Sequence, residues 1–127
     1  SYTTCLDCSS MAEGQFAGLA CMGRDNNLVG VTVENGARHI TLEDENGRET
    51  VSSIDAEKVW LRLKFDSNSN IFLFSYSTDG EEFLPAGRIF TAWFGHWKGA
   101  RPALFSLNTA DSAGTAFFDD FVYQRDK

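Results

Sequence analysis

General acid–base chemistry needs titratable groups that converge on one bond, so the carboxylates are the first residues to weigh. They occur in runs: Glu43-Asp44-Glu45, Glu81-Glu82 and Asp119-Asp120. On an extended chain, sequence neighbours point to opposite faces, so none of these runs presents an obvious acid/base pair. The histidines are His39 and His96. His39 falls in the exposed phase of its strand, and His96 lies in the aromatic run Trp93-Phe94-Gly95-His96-Trp97. There is no Gly-x-Ser-x-Gly elbow, no phosphate-binding loop and no dinucleotide fingerprint. The three cysteines, Cys5, Cys8 and Cys21, are odd in number and match no zinc spacing. Free, buried thiols are expected, with a single Cys8–Cys21 disulfide as the alternative. No catalytic residue is assigned to this chain.

Any site must be positioned by strands, because no long segment carries apolar residues at helical spacing. Short β-rich runs recur between Gly, Asn, Asp and Ser clusters, which reads as a sandwich or barrel. Strands are predicted over 3–8, 16–22, 28–34, 38–43, 59–65, 70–77, 102–107 and 116–123, with a return strand beginning at Glu82. Asn35-Gly36 and Asp79-Gly80 are hairpin turns, and Asn46-Gly47 marks a further turn. Val59, Leu61, Leu63 and Phe65 face one way; Trp60, Arg62 and Lys64 face the other. The run from Asn70 to Ser77 is apolar on both faces, as in a central strand covered on each side. Phe72, Phe74 and Tyr76 are expected in the inter-sheet core with Leu61 and Leu63. Asp119 shares strand phase with Phe117, Phe121 and Tyr123, which are expected to be buried. A carboxylate there must be hydrogen-bonded, metal-bound or displaced by a bulge.

With 127 residues the chain is expected to be one domain, residues 1–127, able to bury a core without disulfides. Eleven phenylalanines, three tryptophans and three tyrosines make that core aromatic. A net charge of -7 repels phosphate backbones and anionic membrane faces, so no nucleic-acid and no membrane partner is expected; a neutral glycan is compatible. No apolar run reaches membrane-spanning length, no signal peptide is visible, and no compartment follows.

Five motifs stand in a telling order: Phe16-Ala17-Gly18-Leu19, Asp25-Asn26-Asn27, Tyr76-Ser77-Thr78-Asp79-Gly80-Glu81-Glu82-Phe83, Trp97-Lys98-Gly99-Ala100-Arg101-Pro102-Ala103-Leu104-Phe105-Ser106, and Phe118-Asp119-Asp120-Phe121-Val122-Tyr123. Over nearly the whole chain this set resembles the C-terminal concanavalin-A-like β-sandwich domain of family 43 glycoside hydrolases, the β-xylosidases and α-L-arabinofuranosidases. The resemblance implies an all-β, antiparallel two-sheet sandwich of the jelly-roll kind. It also implies a C-terminal fragment of a larger glycosidase, whose catalytic β-propeller would be its partner. None of the propeller's catalytic motifs is in this chain.

The implied function is a non-catalytic ancillary domain that supports the catalytic domain and contacts xylan- or arabinan-type sugars. The alternatives are an independent carbohydrate-binding module and a purely structural interaction domain. The carbohydrate-contact candidates are Trp93, Phe94, His96, Trp97 and Arg101, because flat rings stack on the apolar C–H faces of sugars; packing of the same rings in a core or interface is the competing reading. Asp119 is a structural candidate expected to accept hydrogen bonds. The alternative is a structural calcium, since sandwiches of this kind often hold one and Ca²⁺ favours carboxylate oxygens; no other cofactor is expected. The resemblance places further strands before Ser1. Their absence would leave an open sheet edge, so the isolated chain is expected to form homo-oligomers.

Overall fold

The computed structural model describes residues 1–22, 26–66, 71–87, 90–91, 101–108 and 116–123. Every regular element among them is a strand: β1 (Tyr2–Asp7), β2 (Gln15–Met22), β3 (Asn27–Glu34), β4 (Ala37–Asp44), β5 (Gly47–Ile54), β6 (Lys58–Asp66), β7 (Ile71–Ser77), β8 (Leu84–Pro85), β9 (Phe90–Thr91), β10 (Arg101–Asn108) and β11 (Phe117–Tyr123). They form two sheets. A six-stranded sheet runs β11-β1-β6-β7-β8, with β9 also paired to β7, and a five-stranded sheet runs β10-β2-β3-β4-β5. All pairings are antiparallel.

Strand period decides what lies between the sheets. From the six-stranded sheet come Leu6, Val59, Leu61, Leu63, Phe72, Phe74 and Tyr76; from the other come Ala17, Leu19, Val29, Val31, Ile40 and Leu42. The expected placement of Phe72, Phe74 and Tyr76 with Leu61 and Leu63 therefore holds. Phe72 and Phe74 meet edge to face, with ring centroids 5.9 Å apart. Each such side chain contributes about 1.5–3 kcal/mol by leaving water. Ile71 and Leu73 are half-buried on the other face of β7, which lies between β6 and the short strands β8 and β9.

The β3–β4 hairpin turns at Asn35 (φ 54°) and Gly36 (φ 76°), the left-handed geometry that this residue pair accepts. The Glu13 carboxylate accepts bonds from both turn amides, 2.7 Å from Asn35 N and 3.0 Å from Gly36 N. Strand β5 escapes the sequence reading because its residues, Gly-Arg-Glu-Thr-Val-Ser-Ser-Ile, do not alternate apolar with polar. It is an edge strand and is held by backbone pairing to β4. On the outer face of the five-stranded sheet, Phe16 is fully buried beneath Phe105, centroids 4.9 Å apart, and Arg48, 4.7 Å away.

Strand β11 corrects the expectation for Asp119. Pairing with β1 runs Leu6 to Phe118 and Cys5 to Asp119, then Thr4 to Phe121. Asp120 is the extra residue of a β-bulge, and strict alternation fails across it. Leu6 is buried in the core, so its partner Phe118 packs on that side, while Asp119 is turned to the outer face and is exposed. Phe121 and Tyr123 are not buried either, at 41% and 60% exposure, because β11 is a sheet edge. Both rings pack beside Tyr2, at 5.8 and 4.9 Å.

Candidate functional site

Trp93, Phe94, His96 and Trp97 lie outside the described residues. Arg101 opens β10 opposite Met22. His39 is half-buried on β4, with its Nδ1 3.2 Å from the Ser53 hydroxyl. All three cysteines are buried thiols outside any disulfide, as expected. Burial pushes the Cys21 thiol up to about 11 and raises that of Cys8, whose Sγ lies 3.3 Å from the Glu57 carbonyl. Among the described residues, no three His, Cys, Asp or Glu side chains gather into a group that could hold a metal ion.

What the structure does bring together is the outer face of the six-stranded sheet. Directly opposed residues share a face. One row there crosses four strands: Asp119, Cys5, Trp60 and Ser77. The next row is Val122, Thr3, Arg62 and Ser75. Between them lies a concavity of about 240 Å³ lined by Thr3, Cys5, Trp60, Arg62, Asp119 and Val122, with Thr4 beneath.

Trp60 is held from one side by the β7–β8 turn. A methyl group built on Gly80 would stand 3.0, 3.2 and 3.3 Å from three atoms of the Trp60 ring system, so the glycine covers a face of the indole rather than its edge. Gly80 has φ 81°, a conformation that costs other residues strain. The turn is fixed by its own hydrogen bonds. Ser77 Oγ donates to Asp79 Oδ1 (2.8 Å) and accepts from Gly80 N (2.9 Å). Asp79 Oδ1 also accepts from Glu81 N (2.8 Å) and Glu82 N (3.0 Å), and these bonds hold the Asp79 carboxyl at about 2.

Arg62 is braced on two sides. Its Nε donates to Thr3 Oγ1 at 3.2 Å, and its guanidinium lies over the Phe83 ring, 3.7 Å from the centroid. Such stacking leaves the guanidinium edge as a source of donors. The sequence carried half of this signal, since Trp60, Arg62 and Lys64 form the non-core phase of β6. The other half, Ser77, Asp79, Gly80 and Phe83, reads only as a hairpin until β6 and β7 pair.

Three carboxyl groups anchor turns. Among the described residues, the perturbed ones are Asp7, Glu13 and Asp79, and all three are lowered. Asp7 is lowered first by its bond from the Ser9 hydroxyl, and Glu13 by the Gly36 and Asn35 amides. A carboxyl that must donate a proton at neutral pH needs the opposite shift.

Residues 1–124 match the family described as the beta xylosidase C-terminal concanavalin A-like domain. The chain is similar to a beta-xylosidase of Formosa agariphila, 37% identical over 95% of this chain and 20% of that protein. It therefore spans about a fifth of the length of that curated relative. Among solved structures it is similar to a bifunctional "GH43-CE" protein of Bacteroides eggerthii, with a TM-score of 0.82 and 28% identity over 92% of this chain and 16% of the other. A family 43 glycoside hydrolase engineered to display both endo-xylanase and exo-arabinofuranosidase activity shares the fold, with a TM-score of 0.74 at 23% identity, over 91% of this chain and 27% of that one.

Proposed function

This chain belongs to the beta-xylosidase C-terminal concanavalin A-like domains of the family 43 glycoside hydrolases, and from that premise we propose that it is a non-catalytic ancillary domain that buttresses the catalytic domain of a longer glycosidase. The observation that carries the reading is the state of its carboxyl groups. Hydrolysis of a glycosidic bond uses two carboxyls across the bond, one of them a general acid whose pKa is raised. Among the described residues the perturbed carboxyls are lowered, each by bonds accepted from a turn. The proportions support the same view, since the enzyme name of the relative attaches to a protein of which this chain matches 20%.

The purified chain is expected to release no 4-nitrophenol from the aryl β-xyloside or the aryl α-L-arabinofuranoside. Turnover that survives repurification and disappears when one carboxylate of this chain is replaced would overturn the reading. Buttressing has its own test. Deleting these residues from a longer parent should lower the melting temperature of what remains, and an unchanged transition would count against it.

A further inference from the structure

We propose that the concavity formed by Trp60, Arg62 and Asp119 on the outer face of the six-stranded sheet is a binding subsite for one ring of a neutral, pentose-type glycan. The choice of a pentose rests on the proposed reading of this chain as an ancillary domain of a longer glycosidase, in a family described from beta-xylosidases; the subsite itself rests on geometry. Trp60 is packed face-on against Gly80 and lines the concavity, so the indole is braced from behind as a flat platform. Sugar rings present apolar C–H faces that stack on such surfaces, and the polar edge of the ring then needs donors and acceptors around the platform.

Both are present. Arg62 is oriented by Thr3 and Phe83 and lines the same space. Asp119 stands in the Trp60 row two strands away, about 10 Å across the sheet at normal strand spacing. A single sugar ring fits in that gap, with the platform at one end and a carboxylate acceptor at the other.

Charge and size narrow the ligand. One guanidinium and one carboxylate cancel within the site, so neither an anion nor a cation is favoured, and the net charge of -7 disfavours polyanions. The volume of about 240 Å³ is below the range of drug-sized pockets, about 300–1,000 Å³, which limits the occupant to one ring with its neighbours outside. A protein partner would need about 800 Å² of surface on each side, of which this concavity would be a small part.

The test is a titration of the ¹⁵N-labelled chain with xylotriose. Three tryptophans yield three indole N–H signals, and Trp60→Phe assigns the one that matters. The expected result is a saturable shift of the Trp60 signal with a Kd of about 1 mM, as suits a single-ring site. Asp119→Ala, at an exposed position, should keep the melting temperature and weaken binding about tenfold, and Arg62→Met should weaken binding to a similar degree. A Trp60 signal that stays fixed well above that concentration overturns the subsite. So does a shift confined to the Trp93 and Trp97 signals, or one produced by cellotriose and not by xylotriose. The two readings fail separately. Turnover of an aryl xyloside by this chain would sink the ancillary role and leave a Trp60 shift standing, while a silent Trp60 would sink the subsite and leave the ancillary role standing.

Discussion

Gly80 links the fold to the candidate site, and its replacement can be measured against an internal reference. Gly80 and Gly36 have nearly the same backbone, φ 81° and 76°. Placing alanine in that left-handed region costs about 1–2 kcal/mol at either position. The surroundings differ. A methyl on Gly36 would meet nothing within 4 Å, whereas one on Gly80 would stand 3.0–3.3 Å from Trp60. The indole must yield by a few tenths of an ångström. Holding a side chain off its rotamer costs about 0.5–1.5 kcal/mol, so Gly80→Ala should be the more destabilising by that amount. For 127 residues the unfolding entropy is about 0.27 kcal/mol/K, so each kcal/mol lowers the melting temperature by about 4 °C. Gly36→Ala should then lose about 4–8 °C, and Gly80→Ala about 2–6 °C more. Calorimetry gives the two transitions, and the Trp60 indole signal should shift in Gly80→Ala alone. Equal melting temperatures with an unmoved Trp60 signal would show that the turn does not brace the indole.

Three further outcomes test the core, the thiols and the turn. Phe74→Ala removes a fully buried ring from the inter-sheet core and should cost about 3–5 kcal/mol; a loss no greater than that of Lys64→Ala, at an exposed position, would mean that the face is assigned wrongly. Cys21, held near 11, and Cys8, also raised by burial, should stay protonated at pH 8 and resist a disulfide reagent until the chain is unfolded by denaturant; rapid labelling of more than one thiol in the native chain would contradict their burial. The Asp79 carboxyl is lowered from 3.8 to about 2 by its turn amides, so the stability it contributes is complete above the unfolded value and is lost as pH falls from about 4 to 2. Asp79→Asn should narrow the drop in melting temperature between pH 7 and pH 3, and an unchanged drop would show that the turn bonds do not depend on the charge.

The strands legible in the sequence are those with apolar residues on at least one face. In β6, Val59, Leu61 and Leu63 alternate with Trp60, Arg62 and Lys64, and the structure places the two sets on opposite sides. Two features were not legible, for different physical reasons. Strand β5 has no apolar alternation to read, because as an edge strand it is held by backbone pairing to its neighbour and only Val51 and Ile54 among its apolar residues pack against the core. The bulge at Asp120 is invisible because local pattern cannot say which residue will lack a partner; only the register with β1 decides it. That single insertion moved Asp119 from an expected core-side position to the outer face, and with it the meaning of the residue. An acceptor of internal bonds became a carboxylate available to a ligand.

A site on this face is better placed than one on a loop. Trp60 and Arg62 sit on β6, which is paired on both sides, and Asp119 is carried by β11, where it pairs with Cys5 of β1. Residues on paired strands keep their spacing, which is what a platform and its polar partners require. The affinity expected of such a subsite is weak, and in isolation it would be of little use. Within one longer chain it is different. A tethered subsite meets its glycan at an effective concentration in the millimolar range, set by the length and stiffness of the connection. A Kd of about 1 mM is then enough to hold a sugar chain near a catalytic domain while still releasing it between turnovers. Tighter binding would slow that release, so weakness at Trp60 suits an ancillary role better than strength.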